Sequence, residues 1–250
     1  MSGHSKWSTI KRKKAANDAK RGQIFTRLAR EIAVAAREGG GDTEVNFALR
    51  LAVDRAKEAN MPKDNIERAI RRGTGEDKSA AELEQITYEG YGPNGIALMI
   101  EVITDNRNRT VADLRHALTS RNGSMGEAGS VAWQFHRAAY FGFEADDHDL
   151  DGVFELAVEA GADDIVLDDY VEITAPLENF KQLNDKLEGA GIKPEEAQPR
   201  WLPNATIPLD GENTVRILRL IDELEDMDDV RAVYSNVDVS EEAVEMFETA

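Results

Sequence analysis

The chain has 250 residues, 41% hydrophobic and 31% charged, with a net charge of −18 and no cysteine. That length suits one large domain or two to three small ones. The composition excludes wholesale disorder, a membrane-spanning run, disulfides and thiolate chemistry. The charge is segregated: residues 1–76 hold 17 Lys/Arg against 10 Asp/Glu, a net of +7, whereas residues 77–250 carry −25.

Residues 1–16 are charged, with weak helical periodicity, and predict a mobile arm; MSGHSKWSTIKRKK lacks the apolar core of a signal peptide, so a cytoplasmic setting is expected. From Asn17 to Glu38, Ile24, Leu28, Ile32 and Ala35/Ala36 recur at helical spacing, and Gly39-Gly40-Gly41 ends the helix. A second helix follows Asp42-Thr43, with Val45, Leu49, Ala52, Val53 and Ala56 on one side, and breaks at Asn60-Met61-Pro62. A third turns Ile66, Ala69 and Ile70 inward and Lys63, Arg68, Arg71 and Arg72 outward, before a linker over 73–79. Strands are predicted over 85–91 and 96–104, around the turn Gly92-Pro93-Asn94-Gly95, then a helix over 110–121 and a strand over 131–135. The stretch 138–203 holds 17 Asp/Glu against 4 Lys/Arg. It predicts a strand (139–143), a helix (150–160), two strands (165–168, 170–174), a helix (177–190) and a strand (197–201), the β-α-β-β-α-β order of a ferredoxin-like sheet. A strand (205–209), a helix (213–224) and a strand (231–237) follow. The expected fold class is α+β, with a basic helical unit and two ferredoxin-like units, the acidic one inserted in the other.

The basic cluster Lys6, Lys11, Arg12, Lys13, Lys14, Lys20 and Arg21, with Trp7 interleaved, has the chemistry to neutralise phosphates and stack a base. Arg27 and Arg30 extend it along the first helix. Either DNA or RNA satisfies this pattern. Thr104-Asp105-Asn106-Arg107-Asn108-Arg109-Thr110 lies between a strand and a helix start, where Arg107 and Arg109 could grip phosphate, or Asp105, Asn106 or Asn108 could cap the helix while the arginines pair with acids. Asp147 to Gly152 matches half of an EF-hand loop, but position 12 is Val158, so an acidic turn capping a helix is expected. His4, His116, His136 and His148 have no i,i+4 pairing, and no dinucleotide loop, P-loop or nucleophile elbow is present. Tyr88 and Tyr91 are expected to pack. No enzyme activity, cofactor, metal, small-molecule substrate or membrane partner is expected.

Gly3-His4-Ser5-Lys6-Trp7, Ile10-Lys11, Lys14, Asp18, Arg21-Gly22 and Phe25 resemble the opening of the YebC/PmpR family. The likeness continues through Arg30-Glu31-Ile32, the run from Asn60 to Ile66, Tyr88-Glu89-Gly90-Tyr91-Gly92-Pro93, the Thr104–Thr110 run and Gly129-Ser130-Val131. Thr43, where the pattern has proline, and Met125, where it more often has leucine, depart from it. The resemblance implies three domains, drawn here at 1–78, at 79–137 with 204–250, and at 138–203. It implies a cytosolic, DNA-binding probable transcriptional regulator. It also implies kinship with mitochondrial translational activators of cytochrome c oxidase and with bacterial factors that help ribosomes through difficult messages. A ribosome-associated factor holding ribosomal or transfer RNA through the same basic end is the alternative.

Overall fold

A computed structural model of the chain describes residues 21–76, 81–145 and 148–249. The arm, the start of the first helix, residues 77–79 of the linker, and Asp147 lie outside them. The architecture is α+β: a helical unit, a central sheet with helices, and a second sheet inserted between the halves of the first.

Helix α1 (Arg21–Gly39) stops where Gly40 takes φ +85°, a left-handed conformation open to glycine. Helix α2 spans Phe47–Glu58 and α3 Lys63–Gly73. Ile32, Ala36, Leu49, Ala52, Ala56, Ile66 and Ala69 form their shared core. Val45 is not on the buried side of α2; it is 81% exposed. The cause is Asn46, whose carboxamide oxygen accepts from the Leu49 N–H (3.0 Å) while its amide donates to the Ala35 carbonyl (2.7 Å). The helix therefore starts after Asn46, leaving Val45 in the preceding turn. At Gly73 a Cβ would lie 2.2 Å from the Ala33 carbonyl oxygen, so the glycine allows α3 to close on α1.

Strands β1 (Glu84–Tyr91) and β2 (Ala97–Thr104) form an antiparallel hairpin. After α4 (Arg107–Ser120), the two-residue β3 (Ser124–Met125), which sequence pattern does not reveal, pairs with β1. The strand expected over 131–135 does not form. The Glu89 carboxylate takes the backbone N–H groups of Gly129, Val131 and Ala132 at 2.6 to 2.9 Å, so they do not enter a ladder. Residues 132–134 make a 3₁₀ turn, and one strand, β4 (Phe135–Glu144), absorbs the segment expected over 139–143.

Next come α5 (Leu150–Glu159), β5 (Asp164–Val166), β6 (Tyr170–Pro176), α6 (Phe180–Gly189) and β7 (Glu196–Pro203). Their sheet has the order β5-β6-β4-β7, the ferredoxin-like arrangement. Asp149 sits at the start of α5 without a capping side-chain hydrogen bond, and Val158 is 52% exposed. The chain returns through β8 (Ile207–Pro208), α7 (Gly211–Glu225), β9 (Val230–Ser235), β10 (Val237–Asp238) and α8 (Glu241–Thr249). The strand expected over 205–209 shrinks to two residues paired with β10. The one expected over 231–237 breaks at Asn236, whose carboxamide oxygen accepts from the Ala97 N–H (2.9 Å).

The central sheet runs β3-β1-β2-β9. Leu98, Ile100 and Val102 of β2 pack against α4 and α7. The alternate residues Ala97, Met99 and Ile103 face the other way; Ile103 meets Ala33 and Val34 of α1. Among the described residues no helix is long and apolar enough to cross a membrane.

Candidate nucleic-acid interface

Lys6, Trp7, Lys11, Arg12, Lys13, Lys14 and Lys20 lie outside the described residues. Arg21 begins α1. The arginines further along do not form the phosphate-facing row that the charge count suggests. Arg27 donates to the Glu225 carbonyl at 2.7 Å. Arg30 is largely enclosed: its side chain is 14% exposed, and its guanidinium donates to the Asp229 carboxylate (2.6 Å) and to the Asp228 carbonyl, clamping α1 to the central unit. Arg37 turns to Glu82 and the Leu83 carbonyl, and Arg72 to the Ala81 carbonyl.

The Thr104–Thr110 run takes the structural alternative. Asn106 caps α4, its side chain accepting from the Arg109 N–H at 3.1 Å. Arg109 grips both oxygens of Asp229 (2.8 and 3.0 Å) and one of Asp105 (3.1 Å). Thr110 adds a 2.6 Å hydrogen bond to Asp229. Burial works against ionisation of Asp229, but Thr110, Arg109 and the charge of Arg30 outweigh it and hold the carboxyl below the usual aspartate range. Arg109 is thus spent internally, whereas Arg107 is 60% exposed, 3.7 Å from Glu84.

A second charged knot ties all three units. Glu101 of β2 is buried and receives Arg137 of β4, Arg231 of β9 (3.0 Å) and the Trp201 indole N–H of β7 (3.1 Å). Arg231 also lies 3.6 Å from Glu31 of α1, which pairs with Arg55 of α2 at 2.9 Å. Arg55 reaches on to Gln198 of β7. Burial again opposes ionisation, this time of Glu31, and the charges of Arg55 and Arg231 lower its pKa in spite of it.

What stays open is the outer row of α3. Arg68 and Arg71 are exposed, and neither forms an ion pair among the described residues. Lys63 beside them is 87% exposed and only 3.5 Å from Glu67. The helical spacing that turns these cations outward is visible in sequence. Their distinction from Arg27, Arg30 and Arg37 is not, because it depends on which carboxylates and carbonyls the next unit brings near. Tyr88 and Tyr91 pack as expected, and the Tyr91 hydroxyl donates to the Ser130 carbonyl (3.0 Å). Trp133, in the turn organised by Glu89, is 73% exposed, with its indole N–H on the same carbonyl (3.1 Å).

Comparison with known proteins agrees with this organisation. Residues 5–76 match the model of the TACO1/YebC protein N-terminal domain, and residues 83–237 that of the TACO1/YebC second and third domain. A probable transcriptional regulatory protein of Geotalea uraniireducens is 51% identical over 246 residues, 98% of this chain and 99% of its own. One from Acidithiobacillus ferrooxidans is 53% identical over 249 residues, 99% of each. A crystal structure of a conserved hypothetical protein from Aquifex aeolicus superposes with a TM-score of 0.83 at 39% identity, covering 90% of this chain and 93% of that one.

Proposed function

The chain belongs to the TACO1/YebC family, and from that premise we propose that it is a non-enzymatic regulator of gene expression that holds nucleic acid through its helical end. The observation that carries the reading is the cationic surface left over after folding. The aspartates, glutamates and carbonyls of the central unit consume Arg27, Arg30, Arg37 and Arg72. On α3, in the same sequence unit as the basic arm, Arg68 and Arg71 have no ion pair among the described residues, while residues 77–250 carry a net charge of −25. The names of its relatives favour duplex DNA as the partner and transcription as the process. A second reading, RNA on the ribosome, is favoured by the net charge of −25 on residues 77–250, which gives a promoter-binding regulator nothing obvious. Lys63, Arg68 and Arg71 on the outer row of α3 can hold a phosphate or a guanine edge, and so fit either partner.

The test is a salt series of binding to duplex DNA of varied sequence and to structured RNA, run beside sedimentation of ribosomes from lysate. Sequence-selective nanomolar duplex binding without ribosome association supports the transcriptional reading. Salt-steep, sequence-blind DNA binding with ribosome co-sedimentation overturns it in favour of the second. In both cases, charge reversal at Lys11, Arg12, Lys13 and Lys14, or at Arg68 and Arg71, weakens binding; undiminished binding in both variants removes the helical end as the contact.

A further inference from the structure

Helices α4 and α7 lie side by side on the central sheet, and two concavities open along them. One is lined by Arg30, Arg109 and His116 together with Asp113, Glu223, Asp228 and Asp229, so its cations are matched by carboxylates. The other, about 360 Å³, is lined by Arg121, Arg216 and Arg219 with Asn94, Asn122 and Asn213, and no carboxylate lines it. It sits on the part of the chain whose net charge is −25, where an arginine-lined hollow with no carboxylate in its lining is least expected by chance.

The donors there are largely unspent. Arg219 is exposed and forms no ion pair or hydrogen bond among the described residues. Arg216 is 65% exposed; it donates to the Asn213 carboxamide oxygen (3.2 Å) and lies 3.8 Å from Glu212. Arg121 uses its Nε on Glu223 at 2.8 Å and keeps 46% of its side chain exposed. Asn94 and Asn122 hold left-handed backbone conformations at φ +59° and +61°, which put them at the corners of two tight turns on the rim. Several guanidinium forks and side-chain amides around an open, carboxylate-free hollow match the oxygens of phosphodiesters.

We propose that this basin is a second phosphodiester-binding site, on the central unit, taking the backbone of the same nucleic acid held by the helical end. It rests on the nucleic-acid reading above, but not on whether the partner is DNA or RNA. A site built this way adds affinity without sequence information, and it also fixes how the bound strand lies across the molecule.

The experiment is fluorescence anisotropy of the full chain with a labelled RNA hairpin and a labelled DNA duplex over a range of salt. Arg216→Gln/Arg219→Gln changes exposed side chains, and an unchanged melting temperature verifies its fold. The double variant is expected to bind roughly tenfold more weakly, with the slope of log K against log[salt] reduced by between about one and two. Arg219→Lys keeps the charge and restores most of the slope. If the arm variant (Lys11, Arg12, Lys13 and Lys14 reversed) loses affinity while the basin variant matches wild type in affinity and slope, the basin proposal falls and the helical-end reading stands. If the basin variant alone loses affinity, the helical-end reading falls and the basin is the contact. If wild type binds neither probe, both fall.

Discussion

Asp229 holds together two segments that sequence alone assigns to different tasks. It accepts from Arg30 of the helical unit and from Arg109 and Thr110 of the central one. Asp229→Asn leaves Arg30 without its counter-charge and Arg109 with Asp105 alone, so a loss of about 1–3 kcal/mol is expected in urea denaturation. Because the folded pKa of Asp229 is depressed, its contribution is complete above the usual aspartate value of about 4 and disappears as pH falls through the lower folded value. The gap in stability between wild type and Asp229→Asn should therefore close on acidification; a gap that persists in strong acid refutes this role. Glu89 carries a parallel role for the turn that displays Trp133. Burial pushes its pKa up, and the N–H groups of Gly129, Val131 and Ala132 more than reverse that. In Glu89→Gln those amides are expected to exchange with deuterium at least tenfold faster, an effect visible by NMR as a loss of about 1–2 kcal/mol of local protection.

Helix α2 depends on Asn46 at both ends of its carboxamide, as a cap and as a strut to Ala35 and Gly40. Asn46→Ala should cost about 1–3 kcal/mol, read as a fall in melting temperature. Gly73→Ala places a methyl carbon against the Ala33 carbonyl oxygen, forcing α1 and α3 apart, and should lower the melting temperature further than the exposed control Gly75→Asn, where nothing lies within 4 Å. The helices and most strands are legible in sequence because their apolar residues repeat at 3.6 or 2 positions and Gly and Pro punctuate them. The strand at 131–135 fails that rule because Val131 is buried by a turn, its amide taken by a carboxylate on another strand. The cationic face is legible in part: helical spacing turns Arg68 and Arg71 outward, but nothing in the sequence sets them apart from Arg30. Arg30 and Arg68 are alike in composition and helix position, and only the packing of α1 on β9 and its preceding turn tells the clamp from the free charge. The basin is legible only in part: Arg216 and Arg219 stand three residues apart on α7, but Arg121, at the end of α4, joins them only when the two helices pack side by side on the sheet.

The three units meet at Glu101, Arg137, Arg231, Glu31 and Arg55. Opposite charges buried at a junction of units fix their arrangement in a way that an apolar seam would not. Arg231→Met removes the cation that Glu31 and Glu101 share, and is expected to destabilise the junction by about 3 kcal/mol or more. Limited proteolysis should then cut between the helical and central units in the variant before it cuts wild type, and equal cutting rates would deny the junction this role. Phe135 and Pro203 are cross-strand neighbours at the foot of β4 and β7, so the chain leaves the central unit and comes back to it through a single antiparallel doorway. Because exit and return lie side by side, residues 138–203 form a cassette whose length or surface can be altered without rethreading the host sheet.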